Sequence, residues 1–218
     1  MALAPQFAGH RWGVSTAPHV LEAYLDYVCP FSARLFMRLR NEVFPFIEKE
    51  YPGQIQFLFR QQVQPWHPCS SIVHEIFINI NILTKAALAV ERIDKSQFLD
   101  FSAKLFEVQK EYFDESVQAL TRSQINNSLA RHANLIGISS DQFISLIDIP
   151  TTSTVSEARN QGNKVSADLK WHIKLGRQNG IHVSPTVLFD GLIDDSISSG
   201  WTLAQWQEWL SKKLEKLP

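Results

Sequence analysis

The first sustained apolar run is Val20-Leu21-Glu22-Ala23-Tyr24-Leu25, and it predicts a strand over about His19 to Asp26. The period then changes. Leu35, Phe36, Leu39, Val43 and Phe46 recur at helical spacing within a run from Ser32 to Tyr51. Pro45 lies inside that run and predicts a kink, or an end to its first half near Phe44, because proline lacks the N–H that a helix interior uses. Gly53 follows as a stop signal, and Gln54 to Val63 alternates early and predicts a second strand. Strand, helix and strand of these lengths make a βαβ unit, whose two strands run parallel.

Trp66-His67-Pro68-Cys69-Ser70-Ser71 breaks the pattern, and from Ser71 to about Gln178 the periodicity is helical throughout. The spacing predicts helices over Ser71–Glu91, Ser96–Glu107, Arg122–Ile136, Asp141–Leu146 and Ser153–Gln178. Asp94 or Ser96, Thr121, Ser140, and Thr151 or Ser153 have the side chains that cap helix N-termini, and Gly137 reads as a stop. No fixed internal period runs through this block, so it is an insertion rather than a repeat array. Strand chemistry returns at Ile181 to Phe189. Asp190-Gly191 is a hairpin signal before Leu192-Ile193, and Thr202 can cap a last helix, Leu203 to Leu214. The apolar side of that helix carries Leu203, Trp206, Trp209, Leu210 and Leu214. The chain therefore divides into an N-terminal arm (1–18), a first sheet-forming part (19–65), a helical insertion (66–178) and a second sheet-forming part (179–218). The order β-α-β, helices, β-β-α is an α/β fold with an inserted helical subdomain.

Composition narrows the partners. A net charge of −1, with no long run of one sign, gives no support to a nucleic-acid or anionic-membrane partner. No stretch is apolar for long enough to span a bilayer, and Met1 to Trp12 lacks the basic and apolar regions of a secretory signal. Two cysteines cannot build a disulfide framework, which points to a reducing compartment. The expectation is a cytoplasmic protein.

The chemistry concentrates at Asp26-Tyr27-Val28-Cys29-Pro30-Phe31-Ser32. A cysteine at a strand-to-helix turn sits where helix N-terminal N–H groups converge, and their partial positive charge stabilises a thiolate. Pro30 fits the first helical turn, where its missing N–H has no intrahelical role. Ser32 occupies the position that a C-x-x-C redox motif gives to a second cysteine. It can donate a hydrogen bond to the Cys29 sulfur, or be merely an early helix residue, but it cannot resolve a mixed disulfide. Asp26 is either a proton acceptor near the sulfur or a solvated carboxylate at the strand end. Cys69 reads as an unpaired structural cysteine, with pairing to Cys29 as the alternative, which requires Cα atoms within about 7 Å. His67, His74 and His182 have no metal-ligand spacing and read as structural histidines, so no metal is expected.

Taken together, Cys29-Pro30-Phe31-Ser32 after the first strand, the βαβ unit, the helical insertion and Gly180-Ile181-His182-Val183-Ser184-Pro185-Thr186 before an apolar strand resemble the thioredoxin-like superfamily in its DsbA-like branch. The resemblance covers roughly residues 19 to 215. It implies that Pro185 is a cis-proline facing Cys29, with Ser184 before it exposing backbone to an extended partner. Cys29-Pro30 resembles the dithiol oxidoreductases, which have a second cysteine where Ser32 stands. Asp26 and Pro30-aromatic-Ser32 resemble kappa-class glutathione transferases and 2-hydroxychromene-2-carboxylate isomerases, which have serine where Cys29 stands. Those enzymes also have an acidic residue near the start of the last helix, for glutathione, where this chain reads Ser198-Ser199-Gly200-Trp201-Thr202.

The resemblance thus implies a monothiol thiol–disulfide oxidoreductase or glutathione-linked enzyme acting through Cys29, Ser32 and Asp26. Pro30, Phe31, Ser184, Pro185 and Trp66 would contact the partner, either glutathione or a protein or peptide disulfide. Glutathione would be a co-substrate rather than a tightly bound cofactor. Two alternatives remain: a kappa-like transferase or isomerase binding glutathione non-covalently, and a thioredoxin-fold binding module without chemistry.

Overall fold

The computed structural model describes residues 3–65, 67, 82–149 and 162–214. Trp66, Cys69 and His74 lie outside the described residues, as do most of the helix expected over Ser71–Glu91 and the first part of that over Ser153–Gln178. The sheet has five strands: β1 (Arg11–Trp12), β2 (His19–Leu25), β3 (Ile55–Gln61), β4 (Thr186–Phe189) and β5 (Leu192–Ile193), in the order β1-β3-β2-β4-β5. β2 and β3 are parallel, as the βαβ unit demands, and the other pairs are antiparallel. The arm is less irregular than its prolines and glycines suggest. Pro5–His10 forms a 3₁₀ turn, and β1 adds an edge strand to β3.

Both sheet faces are covered, which is why β2 and β3 are buried almost throughout. Leu21, Ala23, Phe57, Phe59 and Phe189 belong to the main core, where Phe36 packs on Phe57 and Phe59 and Phe189 on Trp209. The intervening residues Glu22 and Tyr24 point to the other face, where Tyr24 packs with Ile181 and Leu188.

The helical run after Cys29 has three parts: α1 (Pro30–Arg38), a π-turn (Leu39–Val43) and α2 (Phe44–Glu50). The chain thus stays helical up to and through Pro45. The π-turn immediately before it rearranges the backbone pairing that proline would otherwise disrupt, and Pro45 falls in the first turn of α2. The described helical segment consists of α3 (Ile82–Ile93), α4 (Phe98–Glu107), α5 (Asp114–Val117), α6 (Arg122–Asn134), α7 (Ser140–Ile147) and α8 (Ser166–Gln178).

Asp94 caps a 3₁₀ turn before α4 by accepting from the Ser96 N–H. Thr121 and Gln124 form a full capping box on α6. For α7 the cap is Ser139 rather than Ser140, because its hydroxyl is the one that reaches the Gln142 N–H. The helix expected from Ser153 is not continuous. Residues 162–165 are non-helical, Gly162 takes a φ of +72°, and α8 starts only at Ser166. α3 packs against α4, α7 and α8, and α4 in turn contacts α1, joining the helical segment to the cysteine helix. The last helix, α9 (Leu203–Leu214), buries Trp206, Trp209, Leu210 and Leu214.

Candidate active site

Cys29 is the N-cap of α1, with Pro30 in the first turn, and the residue is 3% exposed. Its Sγ donates to the Ser184 carbonyl at 3.5 Å. The Ser184–Pro185 peptide bond is cis. The structure therefore brings together the two motifs that lie 155 residues apart in the chain. Ser184 and Pro185 are partly exposed, and the Ser184 hydroxyl has no hydrogen-bond partner among the described residues. Phe31 and Val183 are 54% and 53% exposed, which leaves an apolar side chain on each of the two segments that meet at the sulfur. Phe31 also carries the Arg34 guanidinium over its ring.

Ser32 is fully buried, and its hydroxyl oxygen accepts from the Asp26 backbone N–H at 3.2 Å. It closes the cysteine loop from within rather than bonding to the sulfur. Asp26 is also buried, which excludes a solvated strand-end carboxylate. Its Oδ1 accepts from the Val28 N–H at 3.0 Å. Its Oδ2 accepts from the Gln64 N–H and from His67 Nδ1, each at 2.9 Å. An ionised carboxylate is acceptor-only, and three donors suit it.

Two further groups complete the surroundings, neither of them assigned to the site by the sequence reasoning. His67 read as a structural histidine, yet it is the side chain that meets Asp26. One signal was available: β2 and β3 are parallel, so the residues just after each strand emerge side by side. Gln109, in a 3₁₀ turn over Gln109–Tyr112, donates to the Tyr27 carbonyl at 2.8 Å and to the Cys29 carbonyl at 3.5 Å. That pins the helical segment to the cysteine loop. Immediately beyond it, Lys110, Tyr112, Phe113, Asp114, Glu115 and Ser116 form one wall of a cleft of about 590 Å³, whose other wall is Val28, Pro30 and His67. The cleft thus flanks the cysteine on both chain sides. Among the described residues, no three His, Cys, Asp or Glu side chains gather as a metal site.

This sheet order, with a βαβ unit at its centre and a cysteine capping the crossover helix, defines a thioredoxin-like α/β fold. A family model described as thioredoxin matches residues 7–212, and the chain belongs to that family. Among solved structures, a Pseudomonas syringae protein proposed to be a protein-disulfide isomerase is similar at 23% identity, with a TM-score of 0.68 over 94% of this chain and 99% of that one. Oxidised BdbD from Bacillus subtilis is similar at 20% identity and a TM-score of 0.59, over 95% and 91% of the two chains. The thiol-disulfide exchange protein alpha-DsbA2 from Wolbachia pipientis is similar at 18% and 0.57, over 93% and 86%. These likenesses place the fold in the DsbA-like branch. A search of curated proteins finds no match.

The relatives also correct the expected compartment. The cytoplasmic placement rested on the small number of cysteines, on Met1 to Trp12 lacking a signal pattern and on no stretch long enough to span a bilayer, but the solved structures that the chain resembles are DsbA-like proteins, a type typically found in the periplasm or otherwise outside the cytoplasm. Low cysteine content does not discriminate here, because a catalytic thiol needs no structural disulfides around it. No helix among the described residues is long and apolar enough to cross a membrane.

Proposed function

We propose that the protein is a thiol–disulfide oxidoreductase that works through the single sulfur of Cys29, with glutathione or a protein disulfide as its partner. The observation that carries this reading is the meeting of Cys29 Sγ, at a helix N-cap, with the Ser184 carbonyl. The helix N-terminus favours the thiolate. The similarity to a thiol-disulfide exchange protein supports the same chemistry.

In the reaction, the Cys29 thiolate attacks one sulfur of a disulfide R–S–S–R′. A Cys29–S–S–R bond forms, the R–R′ sulfur–sulfur bond breaks, and the electron pair leaves on R′–S⁻, which takes up a proton. Ser32 has no sulfur and is turned to the Asp26 N–H, so the adduct is released by an outside thiol, which restores Cys29 and carries R away as a new disulfide. Phe31 and Val183 offer apolar contact to the incoming partner, and Ser184 and Pro185 position its backbone. Trp66 remains a proposed contact residue on sequence grounds alone.

Intact-mass spectrometry after incubation with oxidised glutathione tests this reading on wild type, Cys29→Ser and Cys69→Ser. The expected result is one glutathione adduct that disappears in Cys29→Ser, persists in Cys69→Ser and is reversed by reduced glutathione. A Cys29–Cys69 disulfide would replace the monothiol mechanism with a two-cysteine one. Absence of any adduct at Cys29 would overturn the glutathione-linked reading.

A further inference from the structure

The exchange proposed above leaves one proton to be placed, and the relevant chemistry lies beside the cysteine rather than on it. A departing thiolate of ordinary aliphatic type is a poor leaving group unless it is stabilised or protonated as the old bond breaks, whereas an acidic thiol leaves unaided. Ser32 supplies no such proton, because it is fully buried and its oxygen is turned to the Asp26 N–H. His67 is placed differently. Its Nδ1 is held by Asp26 Oδ2 at 2.9 Å, and its side chain is one-quarter exposed (24%) in the wall of the cleft beside Val28 and Pro30.

A carboxylate fixing one imidazole nitrogen orients the ring and stabilises the imidazolium that forms in proton transfer. Asp26 is itself immobilised by the Val28 and Gln64 N–H groups, so the pair is set by backbone on both sides of the sheet end. Among the described residues, the charged or titratable groups around His67 include Asp26 on its own side and Lys110, Tyr112, Asp114 and Glu115 across the cleft.

We infer that His67, positioned by Asp26, is the proton-transfer residue of this site, delivering a proton to the sulfur that leaves when Cys29 attacks a disulfide. The inference rests on the monothiol exchange reading. When the Cys29–S–S–R bond forms, the proton on imidazolium His67 passes to R′–S⁻. The neutral ring is then recharged by the proton that the next Cys29 thiol gives up, so no other co-reactant is needed. Asp26 takes no proton from the sulfur itself and acts only on the ring, through its bond to Nδ1. The site would thereby narrow the advantage that disulfides of acidic thiols have over aliphatic disulfides, whose thiols need the proton.

The test compares two oxidants on the same preparation: oxidised glutathione, and an aromatic disulfide that releases a nitrothiobenzoate. Rates of adduct formation at Cys29 are measured for wild type, His67→Asn, which can keep a donor toward Asp26, and His67→Gln. General acid–base assistance of this kind typically contributes about 10²–10⁴-fold, and an exposed relay belongs at the low end. The ratio of the glutathione-disulfide rate to the aromatic-disulfide rate is therefore expected to fall by about 10-fold or more in both variants. Both rates come from one sample whose folded fraction is checked by circular dichroism, so the ratio compares folded protein with folded protein.

A second readout needs no variant. In wild type, a solvent deuterium isotope effect is expected with oxidised glutathione and a smaller one with the aromatic disulfide. An unchanged ratio, or equal isotope effects for both oxidants, would overturn the role of His67. A wild-type protein that reacts with neither oxidant would instead overturn the exchange reading on which this role depends.

Discussion

Two buried carboxylates, Glu22 and Asp26, stand four residues apart on and just after β2, and the chain treats them oppositely. Asp26, beyond the strand end, is met by two backbone N–H groups and a partly exposed histidine that opens on the cleft. Glu22, inside the sheet, has one partner, the Arg60 Nε at 2.7 Å, and both side chains are sealed from solvent. Its Oε1 and both Arg60 Nη atoms have no hydrogen-bond partner among the described residues. Nearby, His10 and His172 stack at 5.0 Å in a buried aromatic cluster with Phe7. The difference teaches that burial of a charge is not by itself a sign of function. What distinguishes the Asp26 end is a path from the charge to a cleft and a sulfur; the Glu22 end has only a partner.

The strongest way to sharpen that contrast is to break the sealed pair. Arg60→Met leaves Glu22 buried without its cation and is expected to lower unfolding free energy by about 3–5 kcal/mol. The double change Glu22→Leu with Arg60→Met should recover most of that loss, since an apolar pair needs no desolvation of charge. Urea unfolding of the two variants measures both, and the adduct rate of whatever remains folded should stay at the wild-type value. A matched loss of exchange rate at constant fold would show that the Glu22 end also serves the chemistry.

The next effect is smaller and lies at the other end. Gln109→Ala removes the donor to the buried Tyr27 carbonyl, an expected cost of about 1–3 kcal/mol. It also unpins the cleft wall from the cysteine loop. Here the adduct rate should change along with stability, in contrast to Arg60→Met.

A third contrast is one of pH. Burial, with help from the neighbouring Arg60 charge, holds His172 neutral; desolvation leads, and it lowers the pKa from 6.5 to about 3. The folded state therefore binds fewer protons than the unfolded one between those values, so this stability is present above pH 6.5 and is lost as pH falls toward 3. Glu91 runs the other way. Its desolvation outweighs the Gly9 N–H that it accepts and raises it from 4.5 to about 7. Its contribution is fully present below 4.5 and is lost as pH rises through 7. Stability measured by urea unfolding from pH 3 to 8 should show the acid-side loss shrink in His172→Phe and the neutral-side loss shrink in Glu91→Gln.

The contrast between the two carboxylates was only half legible in the sequence. Local signals found the strand before Cys29, its place at a helix start, the hairpin at Asp190-Gly191 and the last helix, because each depends on residues close in the chain. That Pro185 faces Cys29 was implied by resemblance, not by spacing, and the contact of Cys29 Sγ with the Ser184 carbonyl came only with the structure. Three features escaped. The two-residue strand β1 carries no alternation of its own and exists only because β3 offers an edge. The π-turn before Pro45 keeps helical side-chain spacing while shifting the hydrogen bonds, which a periodicity argument cannot see. The short turns over Gln109–Tyr112 and Asp114–Val117 are too brief to show a period, yet they wall the cleft. His67 was visible as a residue, but its meeting with Asp26, 41 positions away, belongs to the tertiary fold.

The account's central claim is that this fold activates the Cys29 sulfur rather than merely burying it. The most direct test is the rate constant for glutathione adduct formation at Cys29 in the Cys69→Ser protein, folded and then unfolded in urea at the same pH. A thiol held at 3% exposure for packing alone would react more slowly in the folded state than in the open chain. The account predicts the reverse, with the folded protein faster. A folded rate at or below that of the unfolded chain would contradict it.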